Sequence, residues 1–329
     1  MNFKKQIFAM AKQDIKTIVF PEASFSDKIM QAVKIIVQKK LAKIILIGDE
    51  TAMYLRYSSV NSSDLKIINS KTSSLKEEVA QKLFSIFEQK GMTKEQAISL
   101  AEDPYYFATM LVKLGYADGI VSGAESHSME ILKPAFEILT SNKNKPIISS
   151  GTVFIGKNRF LKNKPVLISD SIINYEPNAQ QIASIAKNAS DFWKELFLEE
   201  PKIAFLSNST MGSSENKVAS KMREATKIFV EKYPEVICDG EVQLDVALDA
   251  KSQAKKYPDS KIKGDANILI VPDAISGNLL AKSFNYIGGL TAVGPISFGF
   301  DAPISDISRN ASVEEIVLLC VLTAIQAQS

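Results

Sequence analysis

The chain has 329 residues, of which 46% are hydrophobic and 23% charged, which is typical of a soluble globular protein. Lysine and arginine exceed aspartate and glutamate by only two (39 against 37), so we expect no general attraction to nucleic acid or to an anionic membrane. A single histidine nearly excludes a multi-histidine metal site. The length is more than one compact domain usually contains and predicts two domains.

Short β-rich segments alternate with segments of helical periodicity along most of the chain. The predicted strands are residues 17–20, 43–47, 66–68, 119–121, 165–168, 203–206 and 268–271. The predicted helices that follow them include residues 26–39, 75–89, 179–198 and 215–232. Strands that alternate with helices form βαβ units, so we expect an α/β fold with largely parallel sheets.

The alternation is interrupted near residues 142–146 and again near residues 288–295, where asparagine, glycine and proline accumulate. Such segments are typical of domain crossings. Ligands of open α/β sheets bind beyond the carboxyl ends of the strands. The loops that follow predicted strands are therefore the first place to look for a site.

The predicted strand at 119–121 is followed by a loop of small residues that contains Ser126 and Ser128, and Lys133 lies on the next helix. Small residues permit close approach of a substrate, and these three side chains could bind oxyanions. His127 is more simply explained as a histidine that bonds a backbone carbonyl.

The predicted strand at 203–206 leads into a hydroxyl-rich loop with Thr210 and Gly212, which ends at a helix. Backbone N–H groups and hydroxyls in such a loop can surround phosphate oxygens. A simple turn in which Ser214 caps the helix explains the pattern equally well. Further on, the segment 276–278, which ends with Asn278, precedes an apolar helix that carries Lys282, and the lysine either reaches a cleft or extends its charge to solvent.

Three carboxylates, Asp239, Glu241 and Asp245, follow a predicted strand that ends at Cys238. They could hold a divalent metal, but a glycine turn and an acidic first helical turn are the simpler interpretation.

Cys238 and Cys320 both lie in apolar segments and are predicted to be buried free thiols in a reducing compartment. The N-terminus lacks the apolar core of a signal peptide, and the apolar run at 316–325 is too short to span a bilayer, so we expect a cytoplasmic protein.

The last predicted helix begins within residues 306–315, whose sequence is DISRNASVEE. Ser308, Arg309 and several carboxylates thus lie near a helix N-terminus, where free N–H groups and the helix dipole favour anions. An anionic substrate is therefore expected. Ser312 and Glu315 also fit a capping box, in which Glu315 reaches back to the N-cap residue. Whether Glu315 is a cap or a catalytic group stays open at this point.

Six motifs occur in a fixed order: IVFPE at 18–22, ADG at 117–119 with GA at 123–124, LSNSTMGS at 206–213, DGEVQLD at 239–245, GN at 277–278, and GP at 294–295 with DISR at 306–309. Together they resemble the phosphate acetyltransferase family, whose close relatives are the phosphate butyryltransferases. The resemblance covers essentially the whole chain. It implies two α/β domains with isocitrate/isopropylmalate dehydrogenase-like architecture, an interdomain cleft and a homodimer. Because the C-terminal segment of that fold returns to the first domain, the expected domains are residues 1–144 with 295–329, and residues 145–294.

The resemblance implies the reaction acetyl-CoA + phosphate ⇌ acetyl phosphate + CoA, with coenzyme A as a substrate, no tightly bound cofactor and no metal. Matched by position, Glu315 takes the place of an aspartate proposed as the base, Arg309 that of an arginine positioned for phosphate, and Ser308 that of the neighbouring serine. A carboxylate of ordinary pKa, about 4.3, is a weak base toward a thiol of pKa about 8.5, so the site should adjust one of the two. The implied substrate-binding residues are Lys133, Ser126, Ser128, Thr210, Gly212, Asn278 and Lys282.

The chain also departs from the family pattern. Lys133 and Phe87 stand where the family has arginines, Met211 replaces a lysine, and Asn310 replaces a glycine. These differences leave a propionyl or butyryl transferase as one alternative and a non-catalytic CoA-binding or acyl-phosphate-binding relative as another. A decarboxylating NAD-dependent dehydrogenase with a metal at Glu241 and Asp245 is a third.

Overall fold

The structure is a computed structural model that describes residues 3–22, 26–57, 63–140, 147–158, 160–161, 164–197 and 199–328. In these residues the strands are β1 (Thr17–Phe20), β2 (Lys43–Ile47), β3 (Leu65–Ile68), β4 (Gly119–Ser122), β5 (Ser149–Ile155), β6 (Val166–Ser169), β7 (Lys202–Leu206), β8 (Ile237–Val242), β9 (Ile268–Ile270), β10 (Thr291–Phe298) and β11 (Ile304–Asp306).

The α-helices of the described residues are α1 (Phe3–Ala11), α2 (Asp27–Gln38), α3 (Glu50–Tyr57), α4 (Lys76–Phe87), α5 (Lys94–Leu100), α6 (Pro104–Lys113), α7 (Ser128–Ile138), α8 (Ala179–Phe197), α9 (Lys217–Lys232), α10 (Leu244–Leu248), α11 (Ala250–Lys256), α12 (Ala274–Lys282) and α13 (Val313–Gln326). A 3-10 turn (Glu88–Lys90) follows α4, and a π-helix (Ser283–Ile287) follows α12.

The predicted α/β class is confirmed, and each predicted strand and helix has a counterpart whose bounds differ by a few residues. One helix start differs in its cap. The sequence suggests Ser214 as the N-cap of α9, but the cap is Asn216, whose side chain accepts from the Ala219 N–H at 2.9 Å.

The chain forms two compact units, of which the first comprises Met1–Lys143 and Phe300–Ser329. Its strands lie in the order β3-β2-β1-β4-β11, and every neighbouring pair is parallel. Helix α13 packs against α1 and α2 and against this sheet, and its residues Ile316–Ile325 are all buried. This helix is apolar on every side because it lies in the core of the unit.

The second unit comprises Asn144–Gly299, with the strand order β10-β5-β6-β9-β7-β8. The strands β6, β9, β7 and β8 are parallel, whereas β5 pairs antiparallel with both β6 and β10. The break that the sequence shows near Gly294 and Pro295 lies inside β10, where the register shifts between Val293 and Ile296. A proline has no N–H for the ladder and is tolerated at such an irregularity.

The acidic segment 239–245 lies differently from its sequence interpretation. The sequence places these carboxylates behind a strand that ends at Cys238, but β8 continues to Val242 and includes Asp239 and Glu241. Both are buried and hydrogen-bonded. Asp239 accepts from the Ser260 hydroxyl at 2.6 Å and from the Ile262 N–H at 2.9 Å. A strand can bury a carboxylate when donors from elsewhere in the chain satisfy it.

Candidate active site

Carboxylates and hydroxyls gather at one edge of the sheet in the first unit. Glu22 lies two residues beyond β1, the loop 123–127 follows β4, and Asp306 is the last residue of β11. Because β1, β4 and β11 are parallel neighbours, their carboxyl ends meet at the same edge. The IVFPE motif and the DISR motif are thus brought together in space.

Glu22 is only 1% exposed, yet four donors satisfy its carboxylate. The N–H groups of Gly123 and Ala124 each donate to Oε2 at 2.8 Å, while the hydroxyls of Tyr105 and Ser126 donate to Oε1. A buried carboxylate with this many donors is well stabilised as an anion. Glu22 therefore fixes the loop after β4.

Asp306 is 6% exposed and has much weaker support. The Ser128 hydroxyl donates to its Oδ2 at 2.5 Å, whereas Oδ1 has no hydrogen-bond partner among the described residues. Burial raises the pKa of Asp306 to about 7, the Glu22 charge adds to this effect, and Ser128 and Arg309 oppose it. Asp306 is consequently a carboxyl group that exchanges its proton near neutral pH.

Gly123 makes this packing possible. Its φ is +106°, and a Cβ placed on it would lie 2.1 Å from the Asp306 Oδ1. A side chain at position 123 would therefore displace the carboxyl group or the loop.

Ser308 and Arg309 continue the chain just beyond β11. The Ile307 N–H donates to the Ser122 carbonyl, which ties this segment to β4, and the Ala311 N–H donates to the Ser308 carbonyl at 2.7 Å. Ser308 is half-buried and Arg309 is exposed. No carboxylate of the described residues forms an ion pair with the Arg309 guanidinium, so the group can accept an anionic ligand.

Lys28, on the first turn of α2, donates from Nζ to the Arg309 carbonyl at 3.3 Å. It adds a second cation at this edge of the sheet. Sequence reasoning missed it because Lys28 belongs to no motif and lies 281 residues away from Arg309.

Glu315 forms the capping box that the sequence suggests, and this prediction is confirmed. Its Oε2 accepts from the Ser312 N–H at 2.8 Å and from the Ser312 hydroxyl at 3.0 Å, while the Glu315 N–H donates back to Ser312 Oγ at 3.2 Å. The carboxylate is half-buried at the start of α13. Its function as a base stays a prediction.

The other expected binding residues of this unit have diverse surroundings. The Ser126 hydroxyl donates a hydrogen bond to Glu22, and the Ser128 hydroxyl donates one to Asp306. Lys133 is exposed on α7. Phe87 is buried at the end of α4, so that position contributes an apolar side chain to the core instead of a cation.

In the second unit, the loop after β7 contains Thr210 and Gly212. Every N–H from Ser209 to Ser214 donates to an acceptor of the protein itself. The Thr210 hydroxyl oxygen also accepts from the Gln243 N–H at 3.0 Å. These contacts define the loop, and they leave none of its six N–H groups free to bind phosphate.

Glu241 organises this loop. It accepts from the Ser209 hydroxyl and the Gly212 N–H, both at 2.8 Å, and it forms a two-pronged ion pair with Arg223 at 2.9 and 3.1 Å. Burial alone would raise the pKa of Glu241, but these hydrogen bonds outweigh burial and lower it to about 2. The carboxylate is therefore ionised at any physiological pH.

A cavity of about 520 Å³ lies beside the same loop within the second unit. Its lining includes Ser207, Asn208, Asn216 and Ser276 together with apolar side chains such as Leu206 and Leu280. Asn278 and Lys282 are exposed on α12 and do not belong to this lining. Gly277 lies where α12 approaches the Asp170 carbonyl, 2.7 Å from the position a Cβ would take.

The carboxylates on which a metal-dependent dehydrogenase would rely are already paired. Glu241 binds Arg223, and the Asp245 carboxylate accepts from Lys256 Nζ at 2.8 Å. Within the described part of the chain, no group of three or more His, Cys, Asp and Glu side chains could hold a metal ion. Both cysteines are buried free thiols, as predicted.

No α-helix in the described ranges has the length and apolar character needed to cross a membrane.

Known proteins resemble this chain over its full length. A family model described as "Phosphate acetyl/butaryl transferase" matches residues 2–324. A phosphate acetyltransferase of Clostridium acetobutylicum is 36% identical over 331 residues, with 100% of this chain and 99% of that protein covered. A solved phosphotransacetylase from Streptococcus pyogenes has a TM-score of 0.89 at 31% identity, covering 100% of this chain and 99% of that one.

A more distant likeness concerns the fold alone. A solved 4-hydroxythreonine-4-phosphate dehydrogenase from Klebsiella pneumoniae has a TM-score of 0.53 at 13% identity, covering 96% of this chain and 100% of that one.

Proposed function

Because the chain belongs to the phosphate acetyl/butyryl transferase family, and is therefore an acyltransferase, we propose that it transfers an acetyl group reversibly between coenzyme A and inorganic phosphate. The observation that carries the proposal is the exposed Arg309 guanidinium in the DISR segment, which forms no ion pair with a carboxylate in the described part of the chain and follows the buried carboxyl cluster at the edge of the sheet. The acetyl group is favoured because full-length relatives at about 36% identity are named phosphate acetyltransferases.

The proposed chemistry is direct attack of the CoA thiolate on the carbonyl carbon of acetyl phosphate while both substrates are bound. This step needs positive charge for the phosphate, a donor for the developing oxyanion and an acceptor for the thiol proton. Arg309 supplies the charge, and Lys28 and Lys133 are further cations of the same unit. Ser308 donates to the carbonyl oxygen or the thiol.

Glu315 takes the thiol proton in this proposal. Its position at the first turn of α13, six residues after Arg309, supports the assignment, and one of its oxygens, Oε2, is held in place by Ser312. Of the other residues expected to bind substrate, Ser126 and Ser128 lie in the same cluster. Thr210, Gly212, Asn278 and Lys282 in the second unit are proposed as contacts of coenzyme A.

A homodimer is part of the proposal, since Ile275, Leu279 and Ile287 form an exposed apolar surface along α12 and the following π-helix. Surfaces of this kind mark protein interfaces. We also propose the cytoplasm as the compartment because both cysteines are free thiols, which persist in reducing surroundings.

The experiment is an assay of thioester formation from coenzyme A and an acyl phosphate by the purified chain. Acetyl, propionyl and butyryl phosphate are compared at equal concentration. We expect acetyl phosphate to give the highest kcat/KM. A higher value for butyryl phosphate would replace the acetyl assignment by the longer acyl group, and no thioester from any of the three would exclude the proposed function.

A further inference from the structure

Acetyl transfer has two proton requirements, and the proposed function of Glu315 as the thiol base meets one of them. When acetyl phosphate dianion reacts with the CoA thiol, the products are acetyl-CoA and hydrogen phosphate dianion. The thiol therefore loses a proton and the phosphate gains one. Without a donor, phosphate would leave as the trianion, which is a far stronger base and a poorer leaving group. The following inference rests on the proposed function and concerns the donor.

Asp306 and Ser128 have the geometry of a proton donor pair. The Ser128 hydroxyl lies 2.5 Å from Asp306 Oδ2, and Ser128 is half-buried at the first residue of α7. Asp306 lies beneath Gly123, with Oδ1 buried and unpartnered among the described residues. Ser128 is thus the end of the pair that a substrate can touch, and Asp306 is the enclosed end.

A comparison with Glu22 explains why Asp306 keeps its proton. Both carboxyl groups are more than nine-tenths buried and lie at the same edge of the sheet. Among the described residues, four donors reach Glu22, whereas one donor, the Ser128 hydroxyl, reaches Asp306. An ionised carboxylate without donors is costly to bury, so the neutral form of Asp306 is favoured. The Glu22 charge favours it further, and the Arg309 charge opposes it.

Arg309 links the pair to the phosphate. It is the cation that acts on Asp306, and it is also the side chain proposed to bind the phosphoryl group. Because Arg309 lies three residues after Asp306 in the same segment, we expect a phosphate held by Arg309 to approach the Asp306–Ser128 pair. Glu315, whose oxygen Oε2 accepts from the Ser312 N–H, lies at the start of α13 and is the group proposed to take the thiol proton.

We infer that Ser128 donates its hydroxyl proton to the departing phosphate oxygen while its Oγ takes the proton that neutral Asp306 carries on Oδ2. In this step the sulfur–carbon bond forms, the bond between the carbonyl carbon and the phosphate oxygen breaks, and Asp306 becomes ionised. Glu315 holds the thiol proton and returns it to solvent, and Asp306 regains one from solvent. In the reverse direction Asp306 accepts through Ser128 the proton that the attacking phosphate loses.

The first test is the pH dependence of kcat for thioester formation in wild type, Asp306→Asn, Ser128→Ala and the double variant. In the wild type we expect kcat to decrease above an apparent pKa near 7, because Asp306 then lacks the proton. In each single variant kcat should fall by a factor of about 10² to 10³, and the decrease of kcat above pH 7 should be absent. KM for acetyl phosphate should change less than about threefold. The double variant should be no slower than Asp306→Asn, since the two groups act in series.

The control for the charge change is Asp191→Asn on the exposed surface of α8, where Asp191 pairs with Lys187, four residues earlier. This variant should keep the wild-type profile. If Asp306→Asn keeps the wild-type kcat and the wild-type decrease of kcat above pH 7, the inference is overturned and the acetyl transfer proposal stays intact. A wild-type chain without turnover on any acyl phosphate would exclude both.

The second test does not depend on turnover. The carboxyl carbon of Asp306 is followed by NMR in protein labelled with ¹³C-aspartate, with Asp306→Asn used for assignment. Its titration midpoint should lie near 7 in the wild type and higher in Ser128→Ala, because the Ser128 hydrogen bond favours the ionised form. A midpoint below about 5 in the wild type, or no change in Ser128→Ala, would contradict the pair.

Discussion

At the residue scale, the carboxyl cluster shows that burial alone does not set the character of an acidic side chain. Glu22 and Asp306 share a sheet edge and a buried environment, but the number of donors differs. The donors to Glu22 come mostly from backbone N–H groups and hydroxyls of the loop after β4. Among the described residues Asp306 has one donor, Ser128, and burial raises its pKa to about 7.

Asp306→Asn should make the protein more stable relative to wild type as pH rises, because the buried carboxyl group is then no longer forced to ionise. The pKa of Asp306 is about 7 when folded, against 3.8 when unfolded, so its stabilising effect is full below about 3.8 and is lost as pH rises to about 7. Relative to wild type, the free energy of unfolding of Asp306→Asn should increase by on the order of 2 kcal/mol between pH 5 and pH 8.

Urea denaturation at the two pH values measures this difference, with Asp191→Asn as the reference. A difference that does not grow with pH would mean that Asp306 is ionised in the folded protein. Greater stability combined with slower catalysis is the pattern expected of a functional residue.

The two functions of Glu315, as a helix cap and as the proposed base, can be separated by the choice of substitution. Glutamine at the third helical position preserves the capping box, so Glu315→Gln should keep the stability of the wild type. It cannot accept the thiol proton, and kcat should decrease by about 10² to 10⁴. Glu315→Ala should lose both the capping box and the base, and the free energy of unfolding should fall by about 0.5–1 kcal/mol. Unchanged kcat in Glu315→Gln would restrict Glu315 to the cap.

The difference between what sequence could and could not predict is clear for these residues. The capping box of Ser312 and Glu315 is local and was visible in a four-residue pattern. Asp306 is the first residue of the segment 306–315, but the sequence does not indicate its importance. Its packing depends on Gly123 and Ser128, which lie more than 170 residues away along the chain.

At the element scale, the loop after β7 is held by a side chain from the neighbouring strand. Glu241 in β8 accepts from Ser209, Gly212 and Arg223, and β7 and β8 are paired. Glycine and hydroxyl content alone suggested a phosphate-binding loop. The structure shows that those N–H groups already donate to acceptors within the loop or to Glu241 of β8.

Arg223→Met should destabilise the second unit because it leaves the buried Glu241 carboxylate without its cation. The Glu241 side chain is 0% exposed, whereas Arg223 is 43% exposed, so we expect a loss of about 2–3 kcal/mol, somewhat less than for a fully buried pair. Lys256→Met removes a similar partner from the exposed Asp245 and should cost less than about 1 kcal/mol.

Urea unfolding at pH 7 compares the two variants. Equal losses would show that Glu241 does not depend on Arg223. The effect should fade as pH falls toward about 2, since the lowered pKa of Glu241 means that its stabilising charge is present above about 4.5 and is lost as pH falls through about 2.

Element prediction succeeded where the pattern is local. Parallel strands such as β1, β2 and β7 are short apolar runs followed by helices, and their bounds were nearly right. The strands β5 and β10 were not predicted, since their pairing is antiparallel and links residues about 140 positions apart. The sequence pattern ends this strand at Cys238, whereas β8 continues to Val242, because acidic residues seldom occupy a strand interior without distant partners.

At the whole-molecule scale, the family resemblance read from six motifs is confirmed by a match over residues 2–324. The α/β class followed from the alternation of strands and helices alone. The placement of charges around the sheet edge did not follow from the sequence, because residues such as Lys28 and Tyr105 belong to none of the motifs.

The oligomeric state is predicted from the exposed surface of α12 and the π-helix. Leu279 is 64% exposed and Ile287 87% exposed, so an arginine at either position should fold but should disrupt an apolar contact between two copies. Light scattering after gel filtration should give twice the 36.1 kDa chain mass for the wild type and one chain mass for Leu279→Arg with Ile287→Arg. Val218→Arg on α9, at a partly exposed position, is the control. A dimeric double variant would place the interface elsewhere.

The most direct measurement for the acyl transfer is kcat/KM for acetyl-CoA formation from acetyl phosphate and coenzyme A, compared between wild type and Arg309→Ala. Loss of a charge-assisted contact to the phosphoryl group should reduce it by about 10² or more, while Lys227→Ala on the exposed surface of α9 should leave it unchanged. Turnover of Arg309→Ala at the wild-type rate would contradict the proposal that this guanidinium binds the phosphate.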